Sequence, residues 1–217
     1  MIWSAFKLSL LVVSIATVVV AVVGAALGFL LARRKFRAKE LCDSIITLPM
    51  VLPPTVTGYY LILLLGRRGL LGRYIFALTG WTVAFTWEAA AIAAGVMALP
   101  LMVKSARAAL ETVDRRYELV SFSLGKSGIE TFFRVTLPLA SRGILAGIVL
   151  SFARALGEFG ATLMLAGNIQ GKTQTMPLAI YEAFISGEDP KAQALAIILT
   201  ATSVAVIYFT NVLTRQK

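Results

Sequence analysis

Two oppositely charged residues, Arg154 and Glu158, stand inside an apolar run that reads SFARALGEFGATLMLAGN. Because they are four positions apart, a helix would place them on one face, close enough to form an ion pair. Ionisable side chains in an apolar span are costly, and they usually face a polar cavity or a partner. The pair therefore either lines a polar pathway or fixes the packing of the span, and we favour the pathway.

A second stretch, LPMVLPPTVTGYY, places hydroxyl groups beside three prolines. Pro49, Pro53 and Pro54 each remove a backbone donor, so the stretch is predicted to be kinked or partly unwound. Freed backbone groups are tolerated in apolar surroundings only inside protein or beside a cavity. Thr55 and Thr57 add hydroxyls at this point, which favours a pathway lining over a kinked packing helix.

Residue types that carry most enzyme chemistry are scarce. The sequence has no histidine, and its single cysteine, Cys42, argues against an intrachain disulfide and a cysteine-based metal site. The run Gly171-Lys172-Thr173 is not a phosphate-binding loop, because the glycine that the motif requires five residues earlier is Ala166. There is also no Gly-x-Ser-x-Gly motif and no close carboxylate pair. The sequence predicts no catalytic, metal or cofactor site in this chain.

The composition places these stretches in lipid. Of the 217 residues, 58% are hydrophobic, and the mean hydropathy is +0.82, so the chain is more apolar than soluble domains are. We predict one all-α membrane domain over residues 1–217, with five spans at about 8–31, 45–65, 82–103, 143–165 and 194–213. In the first span Gly24 and Gly28 are four apart, a spacing typical of close helix packing.

The positive charge predicts the orientation of the chain, whose formal net charge is +10. Fourteen Lys/Arg fall in segments predicted to be cytoplasmic and six in segments predicted to be external. This asymmetry puts the N-terminus outside and the C-terminus inside, and it explains the charge without nucleic-acid binding. Arg67, Arg68 and Arg73 run against the trend, and they either meet an acidic partner, attract an anion or are simply solvated.

The longest polar stretch is the loop at 104–142, which holds seven Lys/Arg and four Asp/Glu. Gly125 permits a turn that other residues resist, and Pro138 suits the first turn of a new helix. We therefore predict a helix over 113–124, a turn, a short helix over 127–135, and then entry into the fourth span.

This loop resembles the "EAA" loop of permease subunits of bacterial ABC importers. The family pattern is roughly Glu-Ala-Ala, three residues, Gly, nine residues, Ile, one residue, Leu-Pro. Counted from Gly125, the Ile place is Val135, and Leu137-Pro138 match. The acidic place departs from the pattern, because the acid Glu118 stands one residue before Leu119-Val120-Ser121.

Four further segments occur in the same order in permease subunits of molybdate ABC importers: LPMVLPPTVTGYYLI, GRRGLLG, VTLPL and FARALGEFGAT. Sulfate permease subunits are similar but more distant, since they more often carry tyrosine in the Gly-Glu-Phe-Gly stretch. The resemblance implies a type I ABC importer permease fold of about five transmembrane helices. It also implies transport of molybdate or tungstate, with sulfate or thiosulfate as the alternative.

The same resemblance implies a complex in the bacterial cytoplasmic (inner) membrane. Its parts are a second copy of this chain, two cytoplasmic ATPase subunits that bind ATP and magnesium, and a periplasmic oxyanion-binding protein, surrounded by membrane lipid and without nucleic acid. A coupling helix near Gly125 would dock in a groove on the ATPase. The implied coupling residues are Glu118, Leu119, Val120, Ser121, Gly125, Lys126, Ser127, Val135, Leu137 and Pro138.

A dianion passing through such a permease needs donors that carry it without holding it. The expected pathway or gate residues are Thr55, Thr57, Arg154, Glu158 and Thr162. The chain would then be no enzyme itself. An ATP-independent channel or secondary transporter is the alternative class. Inverted repeats would favour a secondary transporter, but five spans cannot be divided evenly and the sequence shows no evident repeat.

Overall fold

The computed structural model describes residues 2–34 and 36–215, and this part of the chain consists of helices joined by loops and turns, without a strand. The α-helices are α1 (Ile2–Arg33), α2 (Lys39–Val51), α3 (Pro54–Leu65), α4 (Gly72–Thr79), α5 (Trp87–Glu111), α6 (Arg115–Ser123), α7 (Gly128–Thr131), α8 (Leu137–Leu156), α9 (Gly160–Ala166), α10 (Met176–Ile185) and α11 (Asp189–Arg215). A π-helical turn at Phe132–Thr136 joins α7 to α8, so residues Gly128–Leu156 form one continuous helix.

Four helices of the described chain are long and apolar enough to cross a membrane, namely Ile2–Arg33, Trp87–Glu111, Gly128–Leu156 and Asp189–Tyr208. The pair α2 and α3 forms a fifth span if the two cross together. The chain direction bends by 118° between these two helices, with the break at Leu52–Pro53. The predicted distortion of the second span is confirmed, because Pro53 and Pro54 supply no N–H to continue the ladder of hydrogen bonds.

The core is built around α5, against which α1, α8 and α9 pack. Small side chains let these helices approach closely. The predicted close-packing face of α1 is confirmed, since a Cβ on Gly24 or Gly28 would lie 2.5 Å from Met102 Cγ or 2.8 Å from Ala106 Cβ. An adjoining face of α5 receives two further glycines of α8 at the same spacing, Gly143 and Gly147.

The third span differs from its predicted range of 82–103. The helix begins at Trp87, where the Thr86 hydroxyl accepts a hydrogen bond from Ala89 N, and it continues to Glu111. Its charged last two turns were assigned to the polar loop at 104–142, but they remain helical because their charges are paired. Lys104 and Arg107 bind Asp43 of α2 at 2.7 and 3.2 Å.

The helix of the fourth span, predicted at about 143–165, starts at a different residue in the structure and is broken inside the predicted range. It begins earlier, because the π-helical turn directly before Pro138 lets the helix run on. A wider turn there relieves the clash of the proline ring with the carbonyl four residues earlier. It also breaks at residues 157–159, so that α8 ends at Leu156 and the short helix α9 starts at Gly160.

The remaining predicted elements fall close to the observed ones. The helix predicted over 113–124 is α6, which begins at Arg115 because the Asp114 carboxylate accepts a hydrogen bond from Arg116 N. The short helix predicted over 127–135 consists of α7 and most of the π-helical turn. Of the shorter helices, α10 covers Met176–Ile185 between the fourth and fifth predicted spans, and α4 lies between the second and third, where no helix is predicted.

Candidate translocation and coupling sites

The ion pair predicted from the spacing of Arg154 and Glu158 forms, with 2.7 Å between Arg154 Nη1 and Glu158 Oε2. The two environments differ, because the Glu158 side chain is 1% exposed and the Arg154 side chain 29% exposed. Arg154 belongs to the last turn of α8, whereas Glu158 stands beyond its end. The ion pair therefore bridges the break in the fourth span, and its two residues do not belong to one continuous helix.

The Glu158 carboxylate has a second role at this break. Its Oε1 accepts a hydrogen bond of 2.7 Å from Ala161 N, in the first turn of α9. A carboxylate at this position satisfies a donor that the start of a helix leaves free, and the helix dipole favours its negative charge. Each oxygen of this buried carboxylate thus has a partner, one on each side of the break.

The breaks of the second and fourth spans meet in space. A Cβ on Gly160 would lie 2.9 Å from Pro54 Cβ and 3.1 Å from Thr55 N. One turn further along, a Cβ on Gly58 would lie 2.8 Å from Ala161 Cα. The first turns of α3 and α9 are therefore in direct contact, and only glycine fits on either side.

The three predicted pathway threonines lie in these same two helices. Thr55 is exposed and adjoins Gly160, whereas Thr57 is 6% exposed and its hydroxyl finds no hydrogen-bond partner within the described residues. Thr162 is 1% exposed in the first turn of α9. The structure thus brings all five predicted pathway residues to the junction of the two breaks.

At another place, around α6, the predicted coupling residues divide into an outward and an inward set. Leu119 and Val120 are 63% and 59% exposed, and further large apolar side chains of this segment are also exposed. We call this set the α6 surface: Tyr117, Leu119, Val120, Phe122, Leu124 and Ile129. Apolar side chains left in contact with solvent in this number mark a surface that a partner covers.

The turn after α6 explains the predicted glycine. Gly125 has a φ of +78°, which side chains disfavour, and its N–H donates to Phe122 O. Ser127 then caps α7 by accepting a hydrogen bond from Glu130 N, and Lys126 forms an ion pair of 2.8 Å with Glu130. The residues at the end of the predicted pattern lie in and after the π-helical turn, with Val135 and Leu137 half-buried and Pro138 exposed.

Two predicted coupling residues, Glu118 and Ser121, point inward. Glu118 Oε1 lies 2.9 Å from Arg33 Nη2 and accepts a hydrogen bond of 2.9 Å from Thr136. The Ser121 hydroxyl hydrogen bonds with that of Thr131 at 2.8 Å. No sequence pattern points to Arg33, Thr131 or Thr136 as members of this contact group. Arg33 is one of the cations that indicate the topology, and Thr136 lies in the VTLPL segment without a role of its own in the pattern.

The three arginines predicted to be external make no ion pair in the described part of the chain. The Arg67 guanidinium covers the ring of Phe76 at 4.2 Å, and that of Arg73 covers Tyr74 at 4.7 Å. Both side chains are exposed, as is Arg68. Their charge therefore stays available at the surface.

Comparisons with known proteins agree with this architecture. The family model "Binding-protein-dependent transport system inner membrane component" matches residues 24–216. The chain belongs to this family. It is an all-helical, multi-pass protein of the cytoplasmic membrane, with the fold of a type I ABC importer permease.

Among curated relatives, the molybdenum transport system permease protein ModB of Escherichia coli K12 is 43% identical over 214 residues, 98% of this chain and 93% of ModB. ModB of Haemophilus influenzae is 43% identical over 180 residues, 83% of this chain and 78% of that protein. The sulfate transport system permease protein CysT of Salmonella typhimurium is 33% identical over 210 residues, 97% of this chain and 76% of CysT.

Solved structures match in fold at low identity. An inward-facing MetNI methionine ABC transporter has a TM-score of 0.71 at 13% identity, covering 99% of this chain and 93% of that one. A bacterial ABC transporter for the import of the polysaccharide alginate has a TM-score of 0.72 at 15% identity, covering 98% of this chain and 78% of that one.

In a double-mutant cycle, we expect the two single substitutions of the Arg154–Glu158 pair to lower the free energy of unfolding by different amounts. Arg154→Met leaves a buried carboxylate without its counter-charge and should cost about 3–5 kcal/mol. Glu158→Gln should cost less, because glutamine keeps an oxygen for Ala161 N and the arginine is partly solvated. The double variant should be more stable than Arg154→Met alone. Unfolding of the detergent-solubilised protein measures these free energies, and simple additivity of the two changes would contradict the pairing.

Proposed function

We propose that this chain is the permease subunit of an ATP-driven importer that moves molybdate into the cytoplasm. The observation that carries the proposal is the 43% identity to the molybdenum permease ModB over nearly the whole chain, against 33% to the sulfate permease CysT. Tungstate, which has the charge and shape of molybdate, is the closest alternative substrate, and sulfate or thiosulfate is the next.

The proposed complex contains two copies of this chain, two ATPase subunits that carry ATP and magnesium, and a periplasmic binding protein. A two-fold axis between the copies would let one pathway form between identical surfaces. The chain supplies the pathway and no catalytic site or cofactor of its own. Its α6 surface docks in a groove on the ATPase as a coupling helix.

The junction of the two broken helices serves as the gate of the pathway. It is supported by the contact between the first turns of α3 and α9, by the buried carboxylate of Glu158, and by threonine hydroxyls on both helices. Backbone N–H groups and hydroxyls at such helix starts can carry a dianion without a fixed positive charge. Arg154 is kept neutralised by Glu158, so a dianion can pass without being held.

The function is tested with the complex in proteoliposomes that contain the cognate ATPase and binding protein. We expect uptake of labelled molybdate that requires ATP, with inhibition by equimolar tungstate and little inhibition by sulfate. Uptake without the ATPase would instead favour a channel or secondary transporter. Stronger competition by sulfate than by tungstate would transfer the assignment to a sulfate permease.

The N-terminus is expected outside and the C-terminus inside. In a Cys42→Ser background, an impermeant thiol reagent should label a Ser4→Cys variant in spheroplasts and should not label a Gln216→Cys variant until the membrane is opened. Gln216 lies outside the described residues, and the lysine and arginine asymmetry of the sequence carries this expectation. Labelling of the second variant in intact spheroplasts would reverse the topology.

Docking of the α6 surface depends on the turn at Gly125. Gly125→Pro should leave the protein in the membrane but lower its binding to the ATPase at least about tenfold, because proline cannot adopt a positive φ and lacks the N–H that binds Phe122 O. Gly128→Ala is the matched control, since its Cβ would meet open space and its φ is negative. Detergent pull-down measures the binding, and equal retention by both variants would refute the docking.

The gate is tested by transport through variants that assemble normally. Glu158→Gln leaves Arg154 with an uncompensated charge that would hold a dianion, so molybdate uptake should fall about tenfold or more while ATPase binding persists. Arg154→Met together with Glu158→Gln removes that charge and should recover part of the uptake. Wild-type uptake by an assembled Glu158→Gln complex would leave the pair with a packing role only.

A further inference from the structure

The inward face of α6 is held by polar contacts and by almost no apolar packing. Ser121 is its only buried residue, so no hydrophobic core fixes this helix to the bundle. What fixes it are the two contacts described above, Ser121 with Thr131 and Glu118 with Thr136, together with the ion pair from Glu118 to Arg33. A force applied to α6 can reach the rest of the protein mainly through these groups.

The π-helical turn brings the two threonines into register with α6. Glu118 and Ser121 are three residues apart and share one face of an α-helix. Thr131 and Thr136 are five apart, which in an α-helix at 3.6 residues per turn separates them by roughly 140°. A π-helical turn pairs residues five apart and so returns both threonines to one side. The irregular turn at Phe132–Thr136 is therefore what matches the start of α8 to α6.

The last turn of α1 joins the same contact group. Arg33 Nη2 reaches both Glu118 Oε1 at 2.9 Å and Val113 O at 3.2 Å, and its side chain is 11% exposed. One turn earlier, the ring of Phe29 packs edge-on against Phe132 of the π-helical turn, with 4.9 Å between the centroids. Glu118 thus ties α6 to α1 and to the start of α8 through one oxygen atom.

We propose that Arg33 and Thr136 are positioning residues for energy coupling, which transmit movement of the docked α6 to α1 and α8 by holding Glu118. The inference rests on the proposed function of the α6 surface. From Gly128 to Leu156 the helix is continuous over 29 residues, or roughly 43 Å at 1.5 Å per residue. The far end of this helix is the turn that carries Arg154. A displacement at Thr136 is therefore transmitted along one continuous helix to the ion pair at the break.

The test compares variants that remove the inward contacts but leave the α6 surface untouched. Arg33→Gln removes the ion pair, and Thr136→Val removes the hydroxyl while keeping the shape. Arg34→Gln is the matched control for the first, because Arg34 is exposed and forms no ion pair in the described part of the chain. Thr112→Val is the control for the second, because the exposed Thr112 hydroxyl bonds only within its own helix, to Ala109 O.

In proteoliposomes we expect each inward variant to bind the ATPase and hydrolyse ATP, but to move less molybdate per ATP. The ratio should fall about fivefold for Thr136→Val, which loses one hydrogen bond, and about tenfold or more for Arg33→Gln, which loses a charged one. Thr136→Ser should restore the ratio, and both controls should match the wild type. Wild-type ratios in Arg33→Gln and Thr136→Val would overturn the proposal, and so would loss of ATPase binding, because the contacts would then only fold α6.

A second readout needs no substrate and separates this inference from the molybdate assignment. Spin labels on Ser123→Cys in α6 and Leu145→Cys in α8, in a Cys42→Ser background, report the distance between the two helices. The distance distribution should be narrow in the wild type and the controls and broad in Arg33→Gln and Thr136→Val. If molybdate is not transported at all but the distance distributions are broader in the two variants, the substrate assignment is wrong and the positioning role stands. Unchanged distributions would refute it.

Discussion

The junction of the two broken spans depends on the way in which one buried carboxylate closes a gap between two helices. Glu158 uses one oxygen for Arg154 on α8 and the other for the backbone of α9, at a point where the helical ladder of hydrogen bonds stops. Backbone groups at membrane depth cannot rely on water, so a break there requires such substitutes. Once the break is stabilised, Gly160 of α9 can lie against the first turn of α3. The broken second span then finds a partner of matching shape.

Close approach is the second constraint, and it is met by the absence of side chains. The inner helix α5 is lined with alanines, and glycines of α1 and α8 face it from two sides at four-residue spacing. In lipid, association of helices gains little from the hydrophobic effect, so dense van der Waals contact has to hold them together. The resulting bundle is closely packed where α1, α5 and α8 meet.

The sequence predicted those features that depend on neighbouring residues. The prolines of the second span and the glycine turn after α6 follow from local geometry, and both are present in the structure. The break in the fourth span could not be read in this way, because the four-residue spacing of its charges suits an unbroken helix equally well. Its position depends on Pro54 and Thr55, which are about a hundred residues away in the sequence and contact Gly160. The same holds for Glu118: its acid stands one residue before the place where the motif has one, and its direction is decided by Arg33 on another helix.

The helix α2 differs from all its neighbours, since none of its residues is buried and its principal tie is the carboxylate of Asp43 between Lys104 and Arg107. A helix attached by charge responds to its solvent in a way that a packed helix does not. Because mobile ions screen partly exposed charges, salt concentration weakens the contacts of Asp43 and leaves the alanine and glycine contacts of the bundle as they are. The single thiol of the chain, Cys42, adjoins Asp43 on this helix and is half-buried. Cys42 can therefore serve as a built-in probe of α2. The rate at which its thiol reacts at different ionic strengths measures how far this helix moves when its charges are screened.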